Sequence, residues 1–493
     1  MAQDQPLSVI DWVKRNPHQP AMTSAIVPNR FEPPVTPNAL APEVTVQPLA
    51  QAALRIIGLV PASVTGLPQS LWSGSTSMGL TAQLKEVPNY RLPAAQALLY
   101  TLLLTEATAP GDNPDAEAAL TLARANTLVR FGAHDAAIAL LEQSDVTGNA
   151  KLFSAFTDLA LMTGEEDTAC AILAAQPHLS PSLTHKAFCA ARRGDWPTAA
   201  LLYDSGRSLD TITGADALAM ERFLHTESFE GAPPLPRPKA ITPLLFRLHE
   251  AVGEPLPTGT LPRAYAVADL RDLAGWKTQL DAAERLATTG ALPANRLLGL
   301  YTARVPAASG GVWNRVSAVQ RFETALRTRS TEAIAKSLPP AWNAMEAVGL
   351  ELVFAEIFAE PVARYTLDGD AGEIAMRMAF LSPDYVTAAG QKDAPSVLAG
   401  IALGKTEALS AQSPREQAVL NGFDQSFARE DYLRMAQNER MGEAILRALS
   451  LLEDGAAGDP LAMTEALATL RAFGLEDTVR RTALQVLLLE RFQ

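Results

Sequence analysis

From residue 51 onward, apolar residues recur at intervals of three and four positions along nearly the whole chain. This spacing puts them on one face of an α-helix, and it fills segment after segment of about 10 to 18 residues. The strict alternation of apolar and polar residues that indicates a half-buried β-strand is nearly absent. The pattern therefore predicts an all-α fold.

Three of the predicted helix junctions share a motif, seen in "VRFGAHDAAIALL", "LMTGEEDTACAIL" and "ARRGDWPTAALLY". Its glycines lie 32 and 30 residues apart, the length of one helical hairpin: Gly132, Gly164 and Gly194. Each is expected to end a helix in the left-handed conformation, and an acid follows at the start of the next helix. Five positions after each glycine stands a small residue that allows close helix packing: Ala137, Ala169 and Ala199. These repeats predict an α-solenoid of antiparallel helical hairpins.

Two proline-rich stretches divide the chain. Residues 14–50 carry eight prolines, which disfavour a helix and predict an extended tether within an N-terminal segment 1–50. Residues 230–243 carry five more and interrupt the helical periodicity. The sequence therefore predicts two helical-repeat lobes, an N-terminal one over 51–230 and a C-terminal one over 241–493.

Ahead of the tether, the stretch "LSVIDWV" offers four apolar anchors on a short predicted helix: Leu7, Ile10, Trp12 and Val13. The segment either packs back on the body of the protein or docks on a partner. Both interpretations stay open on sequence alone.

The two cysteines of the chain, Cys170 and Cys189, lie on either side of a predicted bend between two helices. The first helix should end near Ala175, and Ser180 is expected to cap the next one. At about 1.5 Å per residue, the cysteines then lie at similar heights across the hairpin. Three states are open: two buried free thiols, a disulfide, or a zinc site completed by histidines such as His185.

Charge and composition narrow the classes of partner. A net charge of −13 offers no basic face for nucleic acid or an anionic membrane surface, so neither is expected as a partner. No run approaches the ~18 to 20 apolar residues of a membrane span, so membrane insertion is not expected. The start, with Ala2-Gln3-Asp4 after Met1, is typical of a chain whose signal peptide has been removed, which predicts a periplasmic location.

Motifs for catalysis are incomplete. His249 in "LHEAVG" lacks the second histidine that a zinc protease helix carries four positions on. Ser77 in "WSGSTSMG" lacks the glycine two places before it that a nucleophile elbow requires. The acidic turn Asp368–Glu373 is too short for a calcium-binding EF loop. The chain is therefore expected to be no enzyme and to hold no cofactor or metal.

Residues 116–205 resemble the tetratricopeptide and Sel1 classes of helical repeats. The stretches "GLPQSLWSGS", "TGEEDTAC" and "FRLHEAVGEPLP" also resemble secreted helical-repeat proteins of alphaproteobacteria, which implies a periplasmic address. Together with the repeats, this predicts a non-catalytic protein–protein interaction scaffold of the cell envelope, bracing a larger assembly such as the flagellar motor. The alternative is an enzyme acting on peptidoglycan, or its accessory subunit.

Overall fold

The computed structural model describes residues 56–271, 273–391 and 394–489. The predicted tether and the docking anchors Leu7, Ile10, Trp12 and Val13 lie outside these residues. From Ile56 onward the chain forms one compact unit. Its regular structure is almost entirely helical, so the predicted all-α class is confirmed.

Eleven helices occupy the described chain up to residue 251. They are α1 (Ala62–Thr65), α2 (Ser77–Glu86), α3 (Pro93–Leu104), α4 (Ala116–Phe131), α5 (His134–Glu142), α6 (Ala150–Thr163), α7 (Glu166–Ala175), α8 (Leu183–Arg192), α9 (Trp196–Ser208), α10 (Gly214–Leu224) and α11 (Pro243–Ala251). Consecutive helices from α4 to α11 pack on each other.

Thirteen more helices follow in the remaining described residues. They are α12 (Trp276–Ala287), α13 (Ala294–Thr302), α14 (Val312–Thr328), α15 (Thr331–Glu346), α16 (Glu351–Val362), α17 (Gly369–Leu381), α18 (Tyr385–Ala388), α19 (Ser396–Leu403), α20 (Pro414–Asn421), α21 (Glu430–Gln437), α22 (Met441–Ala456), α23 (Pro460–Ala472) and α24 (Glu476–Leu488). Short 3₁₀ turns join some of the helices: Pro177–Leu179, Thr226–Phe229, Thr258–Thr260, Arg263–Leu270 and Gln425–Phe427.

The repeat motif has the local structure that its residues predict. Gly132, Gly164 and Gly194 all have positive φ angles, of 91°, 90° and 83°, and each directly follows a helix or its last turn. The small residues five positions later are all buried: Ala137, Ala169 and Ala199. Of the three acids, Asp195 alone caps its helix, accepting a hydrogen bond from the Thr198 amide. The other two acids, Asp135 and Asp167, lie in the first turn of their helices, at the positive end of the helix dipole.

A buried arginine holds the N-terminal edge of the unit. Two short strands, β1 (Ile56–Ile57) and β2 (Ala107–Thr108), pair antiparallel. Beside them Arg124 of α4, 1% exposed, donates hydrogen bonds to the carbonyls of Leu103, Ile57 and Thr105 at 2.6, 2.9 and 2.9 Å. Burial lowers the pKa of Arg124 to about 9, which leaves it charged at neutral pH. The guanidinium thus satisfies the carbonyl of Ile57 in β1 and two carbonyls at the end of α3.

The first and last helices share one hydrophobic core. Helix α3 packs on α22 and α24, and the main core includes both Ile57 and Leu489. Hydrogen bonds join the two ends: the Gly442 amide donates to the Leu71 carbonyl at 2.9 Å, and the Ala94 amide donates to Gln485 Oε1 at 2.9 Å. The body is therefore closed on itself rather than open at both ends.

A second core lies beside the main one. Helices α6 to α11 surround a cluster that runs from Phe153 to Leu248, and we call these six helices the cystine bundle because both cysteines lie in their core. Helix α11 follows the proline-rich stretch and yet contributes to the same core as α6. The division into lobes 51–230 and 241–493 stays a prediction, as does the solenoid arrangement of the whole.

Among the described residues, no helix combines the length and the apolar character needed to cross a lipid bilayer.

Candidate functional site

A disulfide joins the two cysteines across the hairpin of α7 and α8. The Cα atoms of Cys170 and Cys189 are 4.9 Å apart, within the range of about 4.4 to 6.8 Å that a disulfide permits. Helix α7 ends at Ala175, as expected from the sequence. The geometry leaves neither cysteine as a free thiol.

The start of α8 differs from the expectation. Ser182 caps the helix, accepting from the His185 amide at 3.3 Å, whereas the Ser180 hydroxyl accepts from the Ser182 amide. The helix therefore begins after Pro181 instead of including it. Cys189 is then six residues into α8 and Cys170 five residues before the end of α7, which puts the two cysteines at nearly equal heights.

The zinc alternative has no support in this geometry. His185 Nδ1 lies 3.0 Å from the Ser182 hydroxyl, and burial lowers the pKa of its imidazole. Across residues 56–271, 273–391 and 394–489, no three His, Cys, Asp or Glu side chains are grouped so that they could hold a metal ion.

A chain of ion pairs fixes the cystine bundle to the segment that follows it. Glu166, at the start of α7 and almost fully buried, accepts from Arg247 of α11 at 2.5 Å. Arg247 also pairs with Glu250, and Glu250 accepts from Arg271 at 2.7 Å. Burial alone would lower the pKa of Arg247, but the two carboxylates outweigh it and raise the pKa. Because each charge here has an opposite neighbour, the network holds α7, α11 and the segment that contains Arg271 together.

Helices α9 and α10 of the cystine bundle and the turn between them expose large apolar side chains. Within the described residues, four of thirteen such side chains fall in the stretch 196–218: Trp196, Leu201, Leu209 and Leu218. Leu201 is 66% exposed and Trp196 49%, although the Trp196 ring lies 6.0 Å from that of Phe223. Trp196 and Leu201 lie on α9, Leu218 lies on α10 and Leu209 lies in the turn between them, so this stretch offers apolar side chains to a partner.

The helical period shows how α9 comes to expose them. Ala199, Tyr203 and Gly206 are its buried positions, spaced four and three apart. Leu201 stands about 200° around the helix from Ala199, so it points away from the bundle. A polar residue would be expected on such a face, and a leucine there contributes nothing to the core.

The incomplete catalytic motifs remain separate. Ser77 is the first residue of α2. Its amide and hydroxyl donate hydrogen bonds to Asp112 at 2.9 and 3.0 Å, and its hydroxyl accepts one from Asn113 at 2.6 Å. His249 is buried within α11, and burial lowers its pKa. In the acidic turn, Asp368 directly precedes α17, whose first turn contains Asp370. These groups occupy three different parts of the fold.

Sequence reasoning missed the exposed residues of α9 and α10, the buried Arg124, and a partly buried acid, Asp158 of α6. For Asp158 a signal existed, since it is the one acid within the apolar stretch "LFSAFTDLALM". For Leu201 the signal was its place two positions after the buried Ala199.

Comparisons with protein families, with curated proteins and with solved structures find no match to this chain.

Proposed function

We propose that this chain is a non-catalytic protein–protein interaction scaffold of the bacterial cell envelope and that it works in the periplasm. Its partner is a protein that contacts the exposed apolar side chains of α9 and α10. In this proposal, the hairpins of residues 116–205 serve as tetratricopeptide-like solenoid units. An assembly such as the flagellar motor is one setting for such a scaffold, by analogy with other secreted helical proteins.

The observation that carries the proposal is the concentration of exposed apolar side chains on the cystine bundle. A tryptophan at the centre of an interface often contributes much of the binding energy, and Trp196 is a half-exposed tryptophan available for such a contact. Leu201 adds exposed apolar area beside it in the sequence. Keeping them in water without a partner has a solvation cost that a polar residue would avoid.

The disulfide supports the proposed periplasmic location. Structural disulfides persist in oxidising compartments such as the periplasm and are rare in the reducing cytosol. Cys170 and Cys189 are both buried, and the bond between them links two helices of the bundle that is proposed to bind the partner.

Leu201→Asp tests the proposal, with Leu461→Asp as the matched control. Both leucines are exposed on helices, 66% and 61%, but Leu461 lies on α23, outside the cystine bundle. Tagged wild-type protein and both variants are used to capture proteins from the native envelope, and the captured partner is then titrated against each purified chain. We expect Leu201→Asp to weaken binding at least tenfold and Leu461→Asp to leave it unchanged, while circular dichroism shows both variants folded.

Equal binding by wild type and Leu201→Asp would remove the bundle as the docking surface. Incubation of the wild-type protein with purified peptidoglycan tests the non-catalytic part separately. Release of muropeptides would make the chain a cell-wall enzyme and overturn the scaffold proposal.

A further inference from the structure

A cavity of about 450 Å³ lies where the cystine bundle meets the main body. Its walls come from α4, α6 and the 3₁₀ turn Arg263–Leu270, and His134 and Pro243 also line it. Most of the lining is apolar: Leu122, Ala125, Val129, Ala155, Leu159 and Met162. Cavities of about 300 to 1,000 Å³ with a few polar groups among apolar side chains are typical of sites for small molecules.

Asp158 contributes a carboxylate to this cavity without a partner of its own. No hydrogen bond or ion pair reaches it from the described part of the chain, and burial raises its pKa to about 6. The hydroxyl of the neighbouring Tyr265 does not donate to Asp158, because it donates to the Ile241 carbonyl at 2.7 Å. An ionised carboxylate among apolar side chains costs free energy unless a cation or a donor meets it.

His134 contributes a second acceptor. The side chain is 1% exposed, and its Nδ1 lies 3.2 Å from the Gly132 carbonyl oxygen. Because a carbonyl oxygen only accepts, Nδ1 carries the proton and Nε2 has a bare lone pair. Within the described residues Nε2 has no hydrogen-bond partner, and burial lowers the pKa of the imidazole, which keeps it neutral at pH 7.

Lys151, a cation on the cavity wall, forms no ion pair with Asp158 among the described residues. Lys151 is exposed at the start of α6, seven residues before Asp158 on the same helix. Seven residues correspond to about 10 Å along the helix axis, so the ammonium group of Lys151 can remain in water at the rim. The interior thus offers two acceptors and an apolar wall. The possible donors in the lining, Asn126 and Ser154, are exposed, and in the part of the chain that the structure describes neither hydrogen-bonds to Asp158 or His134.

We propose that this cavity binds a small organic amine, whose ammonium group meets Asp158 and whose apolar body lies against Leu159 and Met162. His134 Nε2 offers a second acceptor for an N–H of the ligand. A metal ion is disfavoured, because one carboxylate and one imidazole are too few ligands for a closed site. The inference is independent of the proposed protein docking, since it uses α4 and α6 rather than α9 and α10.

The probe for the test is 2-phenylethylamine, and 2-phenylethanol is its neutral counterpart of nearly the same shape. Binding of each to the full chain is measured by isothermal titration calorimetry at pH 7.5. We expect the amine to bind with a dissociation constant below about 1 mM and the alcohol to bind at least tenfold more weakly.

Asp158→Asn should remove the preference for the amine while keeping the shape of the cavity. Asp216→Asn is the matched control: burial also raises the pKa of Asp216, but Asp216 lies on α10, outside the cavity lining. A third variant, Ala155→Phe, fills the cavity and should abolish binding of both probes.

No detectable binding of the amine at 10 mM, about ten times the expected dissociation constant, would overturn the inference. Equal affinities of the amine for wild type and Asp158→Asn would overturn it too. Equal binding of the amine and the alcohol to the wild type would also overturn it, because the ligand would then be recognised by its apolar body alone.

Discussion

Gly442 lies directly against the indole of Trp72, so close that a methyl group on its Cα would stand 2.3 Å from the ring atom Cζ3. Trp72 is fully buried, and 370 residues separate it from Gly442 in the sequence. The contact joins the loop before α2 to the first turn of α22. It is therefore one of the points at which the two ends of the body close on each other.

Gly442→Ala should destabilise the body by about 1 to 3 kcal/mol, because a buried tryptophan ring must shift to admit the new methyl group. Gly299→Ala is the control, since Gly299 is also helical and nothing lies within 4 Å of the position of its Cβ. This second change should be neutral or stabilise by up to about 1 kcal/mol. Urea denaturation followed by tryptophan fluorescence measures both, and equal effects of the two changes would contradict the tight contact.

Two of the repeat glycines separate backbone strain from side-chain crowding. Gly164→Ala and Gly194→Ala both place a Cβ at a positive φ, which costs about 1 kcal/mol. At Gly194 nothing lies within 4 Å, whereas at Gly164 the new Cβ meets Arg271 Cδ at 3.2 Å. We expect Gly164→Ala to lose about 0.5 kcal/mol more, because Arg271 is held by Glu250.

The source of that extra loss can be checked in the Arg271→Ala background. There the difference between the two glycine substitutions should vanish, and thermal melts of the four variants measure it. A difference that persists without Arg271 would show that the crowding comes from elsewhere.

Reducing the disulfide should lower the stability of the protein. The bond closes a loop of about 20 residues, and the chain-entropy estimate for such a loop is about 3 kcal/mol. The measurement is a denaturation curve with and without a strong reductant, and the Cys170→Ala/Cys189→Ala double variant should be insensitive to the reductant. Thiol titration of unreduced protein in denaturant should find no free thiol; two free thiols would contradict the disulfide.

Asp158 makes stability depend on pH in a definite direction. Its pKa rises from the ordinary 3.8 to about 6 on folding, so the folded chain holds more protons than the unfolded chain between these values. The contribution of Asp158 to stability therefore falls as the pH rises from about 4 to above 6. Asp158→Asn should be more stable than the wild type by about 1 to 2 kcal/mol at pH 7.5, and the two should converge near pH 4.

Comparing the two chains at each pH isolates Asp158, because the other titrating groups are common to both and cancel. His134 in particular acts in the opposite direction, since burial lowers its pKa and its contribution rises with pH. A stability difference that is the same at both pH values would show that Asp158 titrates normally. A gain in stability on losing the carboxylate is what a ligand-binding residue would show, because such residues are often suboptimal for the unliganded fold.

Local features were predictable because their causes are local. A glycine between two amphipathic segments is the residue that the left-handed helix end favours, so Gly132, Gly164 and Gly194 could be placed from the sequence. The approach of Cys170 to Cys189 followed from one hairpin of known rise. The predicted helix cap at Ser180 was wrong by two residues, because the hydroxyl of either serine beside Pro181 can accept a hydrogen bond from a free amide of the first turn.

Features that depend on distant partners could not be predicted in the same way. Nothing near Trp72 in the sequence indicates Gly442, and no composition signal says that α3 packs on α24. The repeat pattern predicts hairpins of neighbouring helices, whereas contacts between the first and last helices depend on the cumulative rotation of every hairpin between them. The free carboxylate of Asp158 likewise depends on which side chains the neighbouring helices fail to bring.

Closure also sets an order of events during synthesis. Helix α3 carries the leucine-rich stretch "ALLYTLLL" and packs on α22 and α24, and α24 begins 372 residues after α3 ends (476 − 104). At about 5 to 20 residues per second, the ribosome needs roughly 20 to 75 s to add the intervening chain. For all of that time the leucines of α3 lack their final partners and are open to aggregation. Loss of α22 and α24 would therefore expose the leucines of α3 rather than merely shorten the protein.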